Sequence, residues 1–423
     1  MSASRMSEKT WRTLVPAATI IANVLSYALF LLSARLLDKA TFGETLALLN
    51  LVVIATIPSF AIQTVVARRT ATDTVGPRLM RVAVLIGIAG AGAIMLVSPL
   101  IVSFLHLPSY WGVVGGALCV PALVLLGVSQ GAAQGRRQWR TLCIAVVLMG
   151  VGRVAGGVAG LIVSRSSAGA LLGTAVGLAL AAAVMLGPTL RLIGQSPVDG
   201  SQPVRGLLIE TVHAAHAHGV FLLLSSLDMT IARNVLSGEE AGWYAAGNVI
   251  FRAALWLPQP VTSLLFASLS DWARHRTATR QGLAAVGGLA AATIAGCAVL
   301  GGLVSTIVAG DKFPDLDEDL WIFALAGGGL AVMQFAIYAG LAVLRRGRLA
   351  IVWACIAAEI LAFYALGLSD TPVTIITTVA VIVSVATVAA VVIALATRPT
   401  AEDTDSAAAD GTKQIVPGTV DSF

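Results

Sequence analysis

The stretch "ARLLDKATFGE", residues 34–44, places an arginine, an aspartate, a lysine and a glutamate between two long apolar runs. A second stretch, "ARNVLSGEEAGWY" at residues 232–244, separates another pair of apolar runs in a similar way. Arg35 precedes Gly43 by eight residues, and Arg233 precedes Gly242 by nine. An asparagine and then a proline follow in both copies, at Asn50 and Pro58 and at Asn248 and Pro258. The chain therefore contains an internal duplication.

The composition is that of a membrane protein. Of the 423 residues, 57% are hydrophobic and 12% are charged, and the mean hydropathy is +0.89. A soluble domain carries about 25% charged residues, roughly twice as many. The apolar runs are continuous rather than alternating, and many have eighteen or more residues, which is enough for a helix to cross a bilayer. These features predict an all-α polytopic membrane protein.

Charged or Pro/Gly-rich breaks divide the apolar runs into about twelve predicted transmembrane helices. The first six lie near 15–36, 43–66, 80–104, 111–133, 141–163 and 167–190. The second six lie near 211–232, 243–268, 282–308, 320–343, 349–368 and 372–396.

Lysine and arginine are distributed unequally between alternate connections. One set of connections, together with both termini, carries 20 of the 27 Lys and Arg residues, whereas the opposite set carries 5. Because cytoplasmic segments are enriched in these residues, both termini are predicted to be cytoplasmic, in the inner membrane of a bacterium. The stretches at 34–44 and 232–244 are then loops on the non-cytoplasmic side.

The duplication predicts the domain organisation. The copies are six spans apart, an even number, so both halves have the same orientation in the membrane and are predicted to be parallel repeats facing a central cleft. The predicted segments are a cytoplasmic N-terminus (1–14), two six-helix bundles (15–197 and 198–396) and a disordered cytoplasmic tail (397–423). Two bundles that rock about a cleft give alternating access, so transport is the function class indicated. A duplicated scaffold without a cargo is the alternative.

Catalysis and cofactor binding are not indicated. No connection exceeds about twenty residues, which leaves no room for a folded catalytic domain. The phosphate-binding loop G-x-x-x-x-G-K-[ST] is absent, and the four cysteines lie in apolar runs without metal-ligand spacing. We expect no enzyme activity, cofactor, metal or nucleic-acid partner, and a proton or sodium ion remains a possible coupling ion.

Several motifs resemble those of one transporter superfamily. "ARLL…FGE", "GRRQWR" and "LLLSSLDMTIARNVLSGEEAGWYAAGN…LPQPVTSLLF" are similar to segments of the multidrug/oligosaccharidyl-lipid/polysaccharide exporter superfamily, and most like its polysaccharide-repeat-unit flippases. The resemblance extends through about residue 396. The residues that match the family's loop pattern, with a structural or gate role implied, are Arg35, Gly43, Arg233, Gly242 and Tyr244. Thr45 departs from the pattern, since an aromatic residue often stands there.

Four ionisable residues fall inside predicted spans, where a charge is costly and marks a pathway or a buried pair. Arg153, Arg252 and Glu359 lie about 13–20 Å from the nearest predicted interface, near the midplane of a core about 30 Å thick. Asp228 lies nearer the outer side. One hypothesis places the arginines in the cleft, where guanidinium groups attract an anionic headgroup. The other pairs Arg153 with Glu359 and Arg252 with Asp228.

The resemblance and these charges favour a flippase that carries a lipid-linked oligosaccharide to the outer leaflet. Its substrate is a polyprenyl-diphosphate-linked glycan, and its partners are membrane lipids and a glycan polymerase or glycosyltransferases. A drug/cation antiporter of the same superfamily is the alternative. That chemistry needs intramembrane carboxylates facing the cargo, for which Asp228 and Glu359 are the candidates.

Overall fold

The structure is a computed structural model that describes residues 8–71, 77–194, 204–259, 261, 272–313, 315–341 and 348–396. Within these ranges the chain forms helices and no strand, so the predicted all-α membrane fold is confirmed. A 3-10 turn covers Gly310–Lys312, and a π-helical turn covers Leu361–Ala365. The α-helices are α1 (Glu8–Leu36), α2 (Lys39–Ala55), α3 (Ile57–Ala71), α4 (Pro77–Leu96), α5 (Ser98–Phe104), α6 (Trp111–Gly135), α7 (Trp139–Ser164), α8 (Ser167–Ile193), α9 (Val204–Val235), α10 (Gly238–Trp256), α11 (Trp272–Ala309), α12 (Leu316–Leu341), α13 (Leu349–Ile360) and α14 (Pro372–Ala396).

Each of the twelve predicted spans falls mainly on helical residues where the structure describes them, with short breaks at 56, 97, 257–258 and 366–368. Among the described residues, eight helices are long and apolar enough to cross a membrane. A ninth is added if Gly206–His216 and Gly219–Val235, which meet at 50°, form one broken span. Tyr27–Leu36 and Leu349–Ala365 are shorter apolar helices. The chain is thus a multi-pass membrane protein, and the total of twelve spans stays a prediction.

The repeated prolines coincide with helix breaks. α2 and α3 form one span that is interrupted at Thr56, two residues before Pro58, and α10 ends at Trp256, two residues before Pro258. Proline lacks an amide hydrogen and its ring clashes with the preceding turn, so a helix is interrupted just before it. The duplication seen in the sequence therefore has a structural counterpart.

The loops predicted at 34–44 and 232–244 are shorter than expected. α1 and α2 are joined by residues 37–38 alone, and α9 and α10 by residues 236–237 alone. Gly43, Gly242 and Tyr244, which we predicted in loops, therefore lie inside helices. The reason is efficient capping: Asp38 Oδ1 accepts from the backbone N–H of Thr41 at 3.0 Å, and Ser237 and Glu240 form a reciprocal capping box.

The described residues form two compact units that differ from the predicted bundles. Unit 1 contains residues up to Val249 together with Thr306–Phe313, and unit 2 contains Ile250–Ser305 and the described residues after Pro314. α9 and most of α10 thus pack with the first six spans. The boundary between the two six-helix bundles, predicted from the repeat at residues 197 and 198, stays a prediction. The predicted tail lies outside the described residues.

Close glycine contacts hold α7 and α8 together in unit 1. A Cβ atom at any of these glycines would lie 1.9–2.7 Å from a backbone oxygen of the facing helix, so larger residues cannot be accommodated. Small residues at a helix interface allow this close approach in membrane proteins. The glycines are Gly152, Gly156 and Gly160 on α7, and Gly169, Gly173 and Gly177 on α8.

Unit 2 packs around α12. A Cβ atom at Gly282 of α11 would lie 1.9 Å from the ring of Phe335, and the hydroxyl of Thr387 on α14 donates to the Gly329 carbonyl at 2.9 Å. Phe335 is fully buried. α12 is therefore enclosed by α11 and α14, with side chains filling the space between them.

Candidate functional site

Asp228 of α9 is enclosed by two donors from α10. Its Oδ2 atom accepts from the Tyr244 hydroxyl at 2.9 Å and from the Asn248 amide at 2.8 Å. The exposed fractions of Asp228, Tyr244 and Asn248 are 1%, 0% and 0%. Residues four apart on a helix lie on one face, which lets both donors reach one carboxylate. Asp228 therefore joins α9 to α10, and Tyr244 serves this cluster rather than a loop.

Arg233 lies at the end of unit 1 that is formed by residues 37–38, 105–106, 236–237 and 312–313. We call it the outer end, after the orientation predicted from the charge distribution. Its Nε donates to the Leu105 carbonyl at 3.0 Å, and its Nη2 donates to the His106 carbonyl and to Glu44 Oε1, both at 3.3 Å. Arg233 is 5% exposed. One buried guanidinium thus joins α9 to α2 and to the end of α5.

Lys312 makes a second set of contacts at the outer end. Its ammonium donates to the carbonyls of Ala34, Arg35 and Leu37 at 2.7–2.8 Å. These carbonyls lie at the end of α1, where the helix leaves its last acceptors without intrahelical donors. Arg35 contributes its backbone here, because its side chain is exposed.

Gly43 and Gly242 bring α2 and α10 into close contact at the outer end. A Cβ atom at Gly43 would lie 2.9 Å from the Gly242 nitrogen, and one at Gly242 would lie 2.1 Å from the Lys39 carbonyl oxygen. Lys39 also pairs with Glu239 at 3.6 Å. The two glycines that repeat in the sequence thus meet each other in the fold, because only glycine permits this approach.

A different ion cluster lies at the opposite, inner end, where α3 ends. Glu210 of α9 accepts from Arg69 Nε at 3.1 Å and from Arg69 Nη2 at 2.9 Å, both through Oε2. Its other oxygen, Oε1, accepts from Arg68. Sequence reasoning missed this cluster, because the partners are more than 140 residues apart in the chain.

The four ionisable residues predicted in the spans differ in exposure. Arg252, Glu359 and Asp228 are 4%, 1% and 1% exposed, whereas Arg153 is partly exposed. Asp228 and Arg153 belong to unit 1, and Arg252 and Glu359 to unit 2. The structure brings Arg153 of α7 close enough to Cys119 of α6 for electrostatic interaction. The predicted pairs, Arg153 with Glu359 and Arg252 with Asp228, stay predictions.

Unit 2 holds a chain of polar side chains that the sequence only partly indicated. The Gln259 amide donates to Gln334 Oε1 at 2.7 Å, and the Gln334 amide donates to the Tyr338 hydroxyl at 3.3 Å. All three are partly exposed. Amide and phenol groups that are hydrogen-bonded to each other and still accessible can bind a polar cargo. Gln334 and Tyr338 lie four residues apart, the spacing that would have signalled this chain.

Comparisons with known proteins are informative at the level of structure. No protein-family model matches the chain, and no curated protein matches it by sequence. Among the described residues, no group of three or more His, Cys, Asp or Glu is placed to hold a metal ion.

Solved structures of membrane transporters share the fold over nearly the whole chain. The lipid II flippase MurJ in an inward closed conformation matches with a TM-score of 0.72 at 11% identity, over 95% of this chain and 91% of the flippase. An inward-facing multidrug resistance MATE family transporter matches with a TM-score of 0.67 at 11% identity, over 96% and 99% of the two chains. A transporter of the same superfamily from Pyrococcus furiosus matches with a TM-score of 0.59 at 13% identity, over 92% and 96%. The chain therefore has the fold of the multidrug/oligosaccharidyl-lipid/polysaccharide exporter superfamily, as its motifs predict.

Proposed function

We propose that this protein is a membrane transporter that carries a lipid-linked oligosaccharide with a diphosphate headgroup across the cytoplasmic membrane of a bacterium. One observation carries the choice of an anionic cargo. Of the four ionisable residues inside the spans, the two carboxylates are each 1% exposed, and Arg153 alone of the four is partly exposed. A partly exposed arginine and two buried carboxylates support an anionic cargo rather than a cationic one.

Arginine suits a diphosphate for two reasons. The guanidinium group stays protonated at any accessible pH, and its planar donors match the oxygens of a phosphate. We assign Arg153 to bind the headgroup first and Arg252 to bind it later in the cycle. The polyprenyl chain stays in the lipid. The polar chain of Gln259, Gln334 and Tyr338 supplies donors and acceptors suited to sugar hydroxyls.

The outer end supports a cycle of alternating access. Arg233, Lys312 and the Gly43–Gly242 contact hold α1, α2, α9 and α10 together there. In the proposed cycle these contacts break when the protein opens to that side. The cationic connections and both termini are assigned to the cytoplasm, and a glycan polymerase or glycosyltransferases are the proposed partners.

A drug/cation antiporter is the second candidate, favoured by the MATE transporters that share the fold. A cationic drug needs an accessible carboxylate, yet Asp228 is already bound by Tyr244 and Asn248. Removing Asp228 separates the two candidates. Asp228→Asn abolishes transport if the carboxylate binds a cation, whereas an anion carrier retains the hydrogen-bonded cluster and most of its activity.

The test of the leading proposal uses alanine variants in cells. Arg252→Ala is expected to reduce surface glycan and to build up lipid-linked oligosaccharide in the cytoplasmic leaflet, while the protein remains inserted. Arg191→Ala, at an exposed position at the end of α8, is the matched control. Unaltered export by the double Arg153→Ala, Arg252→Ala variant would contradict the proposal.

A further inference from the structure

The inner end of unit 1 contains an arginine pair, Arg68 and Arg69, that binds the Glu210 carboxylate. Three N–H donors from Arg68 and Arg69 converge on the two oxygens of Glu210. Arg69 contributes two of them, at 3.1 and 2.9 Å, to a single oxygen. Guanidinium groups bind the oxygens of carboxylates and of phosphates with the same fork geometry. The Glu210 carboxylate thus occupies the position that a phosphate would take.

Further arginines lie at the same end of the unit. A Cβ atom at Gly135 would lie 2.3 Å from the Ala67 carbonyl oxygen, which places the end of α6 beside the end of α3. Arg136 and Arg137 follow immediately, and Arg137 is exposed. Among the described residues, four arginines and the carboxylate of Glu210 lie at this end, a balance of charge that favours the approach of an anion.

The neighbouring helices α4 and α8 add to this charge. The Thr189 hydroxyl donates to Ser129 at 2.7 Å, so α8 and α6 end at the same level, and Arg191 lies there in the last turn of α8. α4 runs antiparallel to α6, since a Cβ at Gly87 would lie 3.0 Å from Pro121, and it begins with the exposed Arg78.

The pair can be reached from outside the protein. The side chains of Arg68 and Glu210 are 42% and 31% exposed, whereas that of Arg69 is 9% exposed and held in place by packing. Long apolar helices end here, so these groups lie at the level of lipid headgroups. An anion attached to a lipid can approach this site while its acyl or polyprenyl chain remains in the membrane.

We propose that Arg68 and Arg69 form a loading site for the diphosphate of the lipid-linked cargo, and that Glu210 closes this site until the diphosphate displaces it. The inference rests on the proposed function, because it assigns a second position to the same cargo. A diphosphate carries more charge and more acceptor oxygens than a carboxylate, so it competes with Glu210 more effectively than the single charge of a phosphodiester.

Displacement of Glu210 has a structural consequence. The carboxylate belongs to α9 and the arginines to α3, so the ion pairs tie these helices together at the inner end. When the diphosphate takes both arginines, this tie is lost, and α9 is held to α3 only by packing such as that of Gly219 on Ile57. Arrival of the cargo would thereby loosen the inner end, which couples loading to a conformational change.

The test measures binding to the purified full-length protein in detergent. The probe is undecaprenyl diphosphate, titrated by native mass spectrometry against wild type and variants, with phosphatidylglycerol and inorganic diphosphate as comparison ligands. Glu210→Gln, which keeps the shape and removes the competing charge, is expected to bind the probe about tenfold more tightly, and Arg69→Gln about tenfold more weakly. Arg68→Gln, at a more exposed position, repeats the second change if Arg69→Gln does not fold.

Arg165→Gln is the matched control, since it removes an exposed arginine at the outer end of unit 1 without touching Glu210, and we expect affinity within about twofold of wild type. Unchanged binding in Glu210→Gln and in both arginine variants overturns the loading site. If phosphatidylglycerol binds as tightly as undecaprenyl diphosphate, the site does not select a lipid-linked diphosphate. The same conclusion follows if Glu210→Gln changes the affinity for inorganic diphosphate but not for undecaprenyl diphosphate. Binding is measured without transport, so failure here is distinct from failure of the Arg153 and Arg252 variants in export.

Discussion

Replacing Arg233 by leucine is expected to destabilise the protein by about 2–4 kcal/mol, because one buried guanidinium makes three contacts at the outer end. Each hydrogen bond to a charged group contributes about 1.5–3 kcal/mol. The contributions do not add fully, since the Glu44 side chain is 14% exposed and regains water when its partner is lost. Arg233 lies 3.0 Å from the Leu105 carbonyl and 3.3 Å from both the His106 carbonyl and Glu44. The contact with Leu105 is therefore the shortest of the three.

Equilibrium unfolding in mixed micelles, followed by circular dichroism, measures this loss. Arg35→Leu is the matched control, because Arg35 occupies the equivalent position in the first repeat but its side chain is exposed. We expect that control to change the free energy of unfolding by less than about 0.5 kcal/mol. Glu44→Gln is expected to cost about 1 kcal/mol, since the amide oxygen still accepts from Arg233. Equal effects of Arg233→Leu and Arg35→Leu would refute the reasoning.

Three further predictions concern the outer end and the Asp228 cluster. Gly242→Ala is expected to destabilise by about 1–3 kcal/mol in the same unfolding assay, because the new Cβ would lie 2.1 Å from the Lys39 carbonyl oxygen. Tyr244→Phe is expected to cost about 1.5–3 kcal/mol, since it removes the hydrogen bond from the Tyr244 hydroxyl to the buried Asp228 carboxylate. Asp38→Ala removes the α2 cap and is expected to cost about 0.5–2 kcal/mol at neutral pH. Hydrogen bonds from the Thr41 backbone and hydroxyl lower the pKa of Asp38, so its contribution is full above its ordinary pKa and is lost as pH falls through the lowered value.

Each of these predictions has a control or a contradicting result. Gly92→Ala places a methyl group where no atom lies within 4 Å, so it is expected to be neutral or to stabilise its helix by up to about 1 kcal/mol. If Gly242→Ala changed the free energy of unfolding by the same amount as Gly92→Ala, this would contradict the close contact. Wild-type stability of Tyr244→Phe would contradict the buried cluster, and a cost of Asp38→Ala that is unchanged at acidic pH would contradict the charged cap.

The local features of the sequence predicted the local structure. The apolar runs predicted the helix positions, because twenty continuous apolar residues have few alternatives to a membrane helix. The repeated prolines and glycines indicated the duplication, whereas the helix breaks at the prolines and the close contact of Gly43 with Gly242 were seen only in the structure. Loop lengths were overestimated, because the caps at Asp38 and Ser237 allow helices to begin among charged residues.

Contacts between distant segments could not be predicted. The Lys312 contacts with the end of α1 and the Glu210 contacts with Arg69 join residues 275 and 141 positions apart. Nothing local to either residue identifies its partner, since lysine and glutamate near helix ends are common for reasons of solvation alone. The placement of α9 and α10 in unit 1 likewise depends on packing that a hydropathy pattern does not encode.

Translocation by the purified protein tests the central claim most directly. Proteoliposomes would carry a polyprenyl-diphosphate oligosaccharide in the inner leaflet, and a membrane-impermeant lectin or glycosidase would report its arrival outside. The account predicts translocation by wild type and by Arg191→Ala, and a loss of at least tenfold in the Arg153→Ala, Arg252→Ala double variant. Translocation by the double variant at the wild-type rate would contradict the account. So would a wild-type protein that exports a cationic dye but does not translocate the oligosaccharide.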